Sequence, residues 1–284
     1  MSHTPLPRAF VIGHPIGHSR SPMMHGFWLR SLGLEGSYTA HDVAPEALGG
    51  FFAGLRAQGF VGGNVTVPHK VAVMQYLSRV DDAAKAIGAV NTVWTENGGW
   101  VGSNTDVAGF LGNLDEITPG WDQGSSNAMV LGAGGAARAA VHGLLGRGFE
   151  VYLVNRTLAH AEALAACFGP KVHAHPWVDV AKLLPMADLL VNTTALGMQG
   201  KPPLDMDLTP LKAGAIVNDM VYVPLETSLL QAARMRGHRT VDGLGMLLHQ
   251  AVSGFTHWFG TAPQVTPQLR ALLETDIRTK TQQV

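Results

Sequence analysis

Six small residues in a row, Gly132-Ala133-Gly134-Gly135-Ala136-Ala137, stand where an apolar run over 128–131 gives way to a stretch of alanines and leucines with helical spacing. Backbone N–H groups at a helix N-terminus attract a pyrophosphate, and glycine permits both the tight turn and the close approach of the phosphate. An ordinary structural turn would also carry glycines, but the strand-turn-helix context favours a dinucleotide site at Gly132, Ala133, Gly134, Gly135 and Ala136. Ala137 occupies the place of a third glycine, where small size for helix-strand packing is what matters. At the end of the next expected strand come Asn155-Arg156-Thr157. A carboxylate there would accept from a ribose 2′-hydroxyl and repel a 2′-phosphate; an amide, a guanidinium and a hydroxyl predict NADP over NAD. Arg156 can stack on adenine and pair with phosphate, and Thr157 can also cap the following helix.

A second group of polar residues lies earlier in the chain: Ser19-Arg20-Ser21-Pro22, Asn64 to Lys70 with Thr66 and His69, Asn91-Thr92, and Ser103-Asn104-Thr105-Asp106. Most fall at the C-terminal ends of expected strands, the edge at which open α/β sheets bind ligands. Singly, Ser19 and Ser21 read equally well as helix caps, and Lys70 or Asp106 as solvated charges. Together they offer hydroxyls, amides, one ammonium and one carboxylate to a polyhydroxylated small molecule. The 13 histidines suggest a metal less than their number implies. His14, His18 and His25 have no carboxylate at ligand spacing, and the His173/His175 pair on one strand face lacks further ligands, so no metal is expected.

The elements that must hold these groups alternate between short apolar strands and longer helices, the pattern of an α/β fold. Strands are expected over 9–13, 38–43, 63–67 and 90–94, with helices over 21–32 and 45–58 closing at Gly33 and Gly59. Asn97-Gly98-Gly99 makes a tight turn into 100–102, and 113–127, with Pro119-Gly120, reads as a helix end and connection. From there the rhythm is that of a parallel sheet: strands 128–131, 150–154, 189–192 and 216–219, a short strand near Thr240, and helices 136–145, 159–168 and 225–236. An apolar helix over 246–259 needs a surface to cover.

Length and composition bound the answer. A chain of 284 residues is comfortable for two domains. A net charge of -1 with 14% charged residues gives no electrostatic footprint for nucleic acid. No apolar run reaches the roughly 18 residues needed to span a bilayer, so no membrane partner is expected. The lone Cys167 excludes an internal disulfide, and the opening MSHTPLPRAF lacks the apolar stretch of a signal peptide, which together predict a cytoplasmic location. The 34 glycines exceed the roughly 20 expected from average usage, without a collagen period.

The segments His14 to Pro22, Asn64 to Lys70, Gly88 to Thr92, Asn104-Thr105-Asp106, Gly132 to Ala136, Asn155-Arg156-Thr157 and Asp242 to Gln250 together resemble the shikimate dehydrogenase family in content and order, from about residue 9 to residue 260. The resemblance implies an α/β substrate domain over 1–106, a Rossmann-like NADP domain over 107–243, and C-terminal helices over 244–284 returning to the first domain. It assigns Ser19 and Ser21 to a substrate carboxylate, Thr66, Asn91, Asp106 and Gln250 to ring hydroxyls, Asn64 to support of the pocket, and Tyr222 to a contact from the cofactor domain. Lys70 and Asp106 become the catalytic pair. Met220, Gly243 and Asp82 join the cofactor residues. Three positions depart from the family's habit: Gly26 replaces a common asparagine, His69 a frequent phenylalanine and Val107 a common glycine.

What the resemblance implies is reversible NADP-dependent reduction of 3-dehydroshikimate to shikimate, in the pathway to chorismate and the aromatic amino acids. Lys70 would give the proton as hydride reaches the carbonyl carbon, with Asp106 orienting it. Quinate or an aminated shikimate as substrate, or an NADP-binding sensor without turnover, are the rival readings. The two sites fall on separate domains that must meet for hydride transfer. No heptad or exposed patch marks an oligomer, and a homodimer is the assembly entertained.

Overall fold

The structure is a computed structural model that describes residues 6–281. The chain divides into two compact units: residues 1–105 with 250–273, and 106–249 with 274–284.

In the first unit, β1 (Arg8–Gly13), α1 (Ser21–Ser31), β2 (Ser37–Asp42), α2 (Leu48–Gly54) and β3 (Phe60–Val65) form two parallel crossovers. A short β4 (Arg79–Val80), α3 (Asp82–Ile87) and the hairpin β5 (Thr92–Glu96) and β6 (Gly99–Ser103) complete a six-stranded sheet of order β2-β1-β3-β5-β6-β4. β5 runs antiparallel to both β3 and β6. The helix expected over 45–58 is shorter: a 3₁₀ turn at Pro45–Ala47 leads into α2, which stops at Gly54. Gly54, which costs about 1 kcal/mol against alanine in a helix, is its last residue, and the chain continues as turns over 55–59. Gly33 (φ +63) and Gly59 (φ +75) take the left-handed conformation expected of them.

The second unit begins with α4 (Asp106–Ile117). Then follow β7 (Asn127–Leu131), α5 (Gly135–Gly146), β8 (Glu150–Asn155), α6 (Leu158–Phe168), β9 (Val172–Pro176), α7 (Val180–Leu183), β10 (Leu189–Asn192), β11 (Ile216–Asp219), α8 (Ser228–Met235) and β12 (Arg239–Val241). All pairings in this sheet, order β12-β11-β10-β7-β8-β9, are parallel. A strand covered on both faces is apolar throughout, and Ala128, Met129, Val130 and Leu131 are accordingly all fully buried. Two apolar clusters lie on its two faces, one under α4, α5 and α6 and one including Leu183, Leu184 and Leu229. Val107, where a glycine is common, lies in α4 against the helix-surface gap left by Gly143 of α5, as does Leu111.

The connection before β7 is not a loose linker. Trp121 is buried and stacked on Phe149 at 5.4 Å, with its indole N–H donating to Asp115 at 2.8 Å.

The chain ends in α9 (Leu244–Phe259) and α10 (Pro267–Thr281). The expected apolar helix begins two residues earlier than its pattern suggested, α10 is the second C-terminal helix that the resemblance implied, and α3 was not anticipated. In the first unit, Trp258 of α9 meets the sheet where Gly62 leaves room, and its indole donates to the Val93 carbonyl at 2.9 Å. A Cβ on Gly62 would collide with that indole and with the same carbonyl, so the approach of helix to strand requires glycine here.

Candidate active site

The polar cluster of the first unit is assembled by strand register. β3, β5 and β6 place Asn64 opposite Thr92 and Thr92 opposite Ser103, next to the chain segments that carry Asn91 and Thr105. All four of Asn64, Asn91, Thr92 and Thr105 are buried. Burial of polar groups demands partners. The Asn64 amide donates to the Asn91 carbonyl (3.2 Å) and to the Thr92 hydroxyl (3.1 Å), and the Thr92 hydroxyl donates to Asn91 Oδ1 (3.0 Å). Asn91 Oδ1 also accepts from the Thr105 backbone N–H (2.9 Å) and lies 3.2 Å from the Thr105 hydroxyl. That hydroxyl stands 3.3 Å from Gln250 Oε1, so Gln250 of α9 joins the cluster.

Ser19 and Ser21 arrive on the turn after β1. Ser21 is the first residue of α1 and is buried; Ser19 Oγ accepts from its backbone N–H at 3.4 Å. Neither hydroxyl caps the helix in the usual sense, since the N-cap position is Arg20. The turn is pinned by Asp42 at the end of β2. Its carboxylate accepts from His14 Nδ1 (2.5 Å) and from the Ile16 N–H (3.3 Å), and the His14 imidazole holds that carboxyl below the usual carboxylate range.

Thr66 follows β3, its N–H donating to the Ile12 carbonyl at 2.9 Å. Lys70 lies partly exposed beyond it, its carbonyl accepting from Val90 N at 2.8 Å. Between them His69 is buried, with Nε2 2.7 Å from the Val43 carbonyl, a hydrogen bond that a phenylalanine could not make. Asp82 stands exposed in the first turn of α3, paired with Lys85 at 3.1 Å. Asp106 is the first residue of α4 and opens the second unit, directly after Thr105.

In the second unit the glycine-rich turn has the form that a phosphate cradle needs. Gly132 has φ +104, and a Cβ there would press on the side chains of Thr193 and Thr194. Ala133 is half-buried, Gly134 is the N-cap of α5, Gly135 and Ala136 form its first turn, and a Cβ on Gly134 or Gly135 would meet open space. Asn155 ends β8, and its amide donates to the Thr157 carbonyl at 2.8 Å. Thr157 sits at the N-cap of α6, yet its side chain makes no capping bond, contrary to expectation; the Asn155 amide holds that turn instead.

Asn155 and Arg156 line a cavity of about 560 Å³ shared with Trp177, Thr194 and Lys201. The chemistry of that wall is two cations, an amide and an aromatic ring, which fits an adenine and a 2′-phosphate; Asp205 is the single carboxylate among the lining residues. Met220 and Gly243 meet at another point, where a Cβ on Gly243 would strike the Met220 carbonyl. Tyr222 lies partly exposed two residues further on. Behind them Asp219 is buried and accepts from Asn192 (2.9 Å), Thr227 (2.6 Å) and the Val221 N–H (3.0 Å), while burial pushes its carboxyl above the usual range. Among the described residues no group of three or more His, Cys, Asp or Glu could hold a metal, and no helix is long and apolar enough to cross a membrane.

Sequence reasoning missed Tyr38, His25, Asp42, Asp219 and Lys201. The first four are positioned by contacts between distant segments, and Lys201 stands on a loop whose path no local pattern reveals.

The parallel sheet with its glycine turn defines the class: a Rossmann-like dinucleotide-binding unit joined to a second α/β unit. Three family descriptions match successive stretches: shikimate dehydrogenase substrate binding domain at 11–93, shikimate / quinate 5-dehydrogenase at 116–198, and shikimate 5′-dehydrogenase C-terminal domain at 243–273. The chain is 55% identical over 278 residues to the shikimate dehydrogenase (NADP(+)) of Azorhizobium caulinodans, covering 98% of this chain and 99% of that one. Among solved structures it is similar to shikimate 5-dehydrogenase from Thermus thermophilus in complex with NADP(H) and shikimate (TM-score 0.84, 38% identity, 96% and 99% of the two chains). Quinate dehydrogenase from Corynebacterium glutamicum in complex with NAD is also similar (TM-score 0.86, 31% identity, 95% and 99%). The chain belongs to the shikimate dehydrogenase family.

Proposed function

We propose that this chain is an NADP-dependent oxidoreductase that interconverts 3-dehydroshikimate and shikimate reversibly, a step of aromatic amino acid biosynthesis. The observation that carries the reading is the 55% identity, across nearly the whole of both chains, to a relative named for that activity. The geometry supports it: buried amides and hydroxyls in the first unit suit a ring with several hydroxyls, and the second unit suits a phosphorylated dinucleotide.

Gly132, Ala133, Gly134, Gly135 and Ala136 would hold the pyrophosphate, and Asn155, Arg156, Thr157 and Lys201 the adenosine 2′-phosphate. The lining of Asn155 and Arg156, with no acidic residue at the end of β8, supports NADP over NAD. Met220, Gly243 and Asp82 complete the cofactor set. When bound, NADP supplies or accepts the hydride.

The chain's own residues do the rest. Ser19 and Ser21 take the substrate carboxylate, and Asn64, Thr66, Asn91, Tyr222 and Gln250 orient the ring. Lys70 gives a proton to the developing alkoxide in reduction and receives one in oxidation, and its ammonium stabilises the negative charge on that oxygen. Asp106 is its partner in proton transfer. The lone Cys167, exposed in α6, fits a reducing cytoplasm.

Initial rates with shikimate and quinate, each with NADP⁺ and NAD⁺, test the reading. The highest kcat/KM is expected for shikimate with NADP⁺. A preference for quinate with NAD⁺ would move the chain to the quinate branch of the family, and tight NADP binding without turnover of either polyol would make it a sensor.

A further inference from the structure

Tyr38 belongs to β2, two strands away from Asn64 on β3, with β1 between them. In register, Ala9 of β1 pairs with both Tyr38 and Gly62, and Val11 pairs with Asn64, so these side chains share one face of the sheet. Crossing two strand spacings means covering roughly 9 to 10 Å. A tyrosine beside the small Ala9 can do so, and the Tyr38 hydroxyl reaches Asn64 Oδ1 at 2.6 Å in a buried hydrogen bond.

The bond has a directional consequence. With Oδ1 of Asn64 engaged by a donor, its NH₂ group must face the Asn91 carbonyl and the Thr92 hydroxyl, where it is found. Thr92 then accepts from Asn64 and has its own proton to give to Asn91 Oδ1. That oxygen, which also accepts from the Thr105 N–H, is committed inward, so Asn91 turns its NH₂ group to the other side. The Asn91 carbonyl, which can only accept, and the Thr105 N–H, which can only donate, favour the same two amide orientations, and the phenol supplies the donor that Asn64 Oδ1 would otherwise lack.

The ring that carries this hydroxyl is held from below. His25 stacks on Tyr38 with centroids 4.0 Å apart and planes 20° from parallel, and is itself backed by Phe255 of α9 with planes 4° apart at 5.9 Å. His25 is fully buried and neither ring nitrogen makes a hydrogen bond. Burial, offset only in part by the nearby Asn64 amide, pushes its pKa down to about 3, so the support under Tyr38 stays uncharged. Burial likewise raises the Tyr38 phenol well above its ordinary range and keeps the donor proton in place.

We propose that Tyr38, seated on His25, is a positioning residue that satisfies Asn64 Oδ1 and so locks the Asn64–Thr92–Asn91 network in the arrangement that the substrate's ring hydroxyls meet. The proposal rests on the reading of Asn64 and Asn91 as substrate-binding residues. It adds a residue two strands away that touches neither substrate nor cofactor in that reading.

Tyr38→Phe keeps the ring stack and removes only the hydroxyl. An unsatisfied buried acceptor and a loosened amide network act on ground state and transition state alike. The shikimate KM is therefore expected to rise between about 5-fold and 100-fold, with kcat and the NADP KM changed less than about twofold. In an Asn64→Ala background the same substitution is expected to change the shikimate KM less than about twofold, because the group it orients is gone. A purely structural role would lower the thermal midpoint and leave the shikimate KM alone; that result overturns the proposal, as does an effect of equal size in both backgrounds. If Asn64→Ala by itself leaves the shikimate KM unchanged, the substrate-site reading and the proposal fall together, whereas an Asn64→Ala effect without a Tyr38→Phe effect removes the proposal alone. Should Asn64→Ala fail to fold, the Tyr38→Phe split between KM and kcat decides by itself.

Discussion

Acid should weaken the first unit, in which burial lowers the pKa of His25 most and those of His41 and His257 in the same direction. An unfolded histidine titrates at 6.5, whereas the buried ring titrates at about 3. Between those values the unfolded chain binds a proton that the folded chain refuses, so stability falls as pH falls, by about 1.36 kcal/mol per unit. The contribution is intact above 6.5, is lost progressively below it, and levels off below the folded value. Lowering pH from about 7 to about 4.5 crosses roughly two units of that window, so this one ring should remove about 2.7 kcal/mol. His25→Phe is the perturbation, because it keeps an aromatic ring against Tyr38 and Phe255 and abolishes the titration. Any strain from the larger ring is independent of pH and cancels in the comparison. The assay is urea unfolding at both pH values, followed by tryptophan fluorescence; Trp28, Trp94, Trp100 and Trp258 all report on the first unit. Wild type should lose about 2.7 kcal/mol more than His25→Phe between the two pH values. Equal losses in the two proteins would show that the ring is protonated, or exposed, in the folded state.

Arg156→Ala should raise the NADP KM roughly 10- to 100-fold, the value of a charge-assisted bond to phosphate, with the NAD KM changed less than about twofold; equal effects on both cofactors would take Arg156 off the 2′-phosphate. Gly62→Ala should destabilise the first unit by about 1 to 3 kcal/mol, since a methyl group must displace the Trp258 indole or the Val93 carbonyl; a melting temperature within a degree of wild type would show that the helix approaches less closely than described.

What was legible in the sequence was local. The glycine turn could be placed because β7 is apolar on both faces and α5 opens with small residues, two patterns that need only a dozen neighbouring positions. The helix closures at Gly33 and Gly59 were visible for the same reason. Asn64, Asn91 and Gln250 could be picked out as a set through family resemblance, and register brings them together through Thr92 and Thr105. The resemblance did not contain the reason for their orientation. Tyr38 reads as an ordinary strand residue, and its reach to Asn64 exists only because β1 is inserted between β2 and β3 and pairs the small Ala9 with Tyr38. Nothing near Gly62 in the sequence explains that glycine either; its reason is Trp258, far along the chain, which fills the space beside it. The cap expected from Thr157 failed for a subtler reason, since the neighbouring Asn155 amide takes over the turn. Apart from that local substitution, the missing term was a contact between segments far apart in sequence, which periodicity and turn chemistry do not encode.

The central claim is that Lys70 carries the proton in an NADP-dependent interconversion of shikimate and 3-dehydroshikimate. Steady-state oxidation of shikimate by Lys70→Ala tests it most directly. A general acid-base residue is worth about 10²- to 10⁴-fold, so kcat should fall by that factor while the shikimate KM changes far less. A kcat equal to that of the wild type would contradict the account.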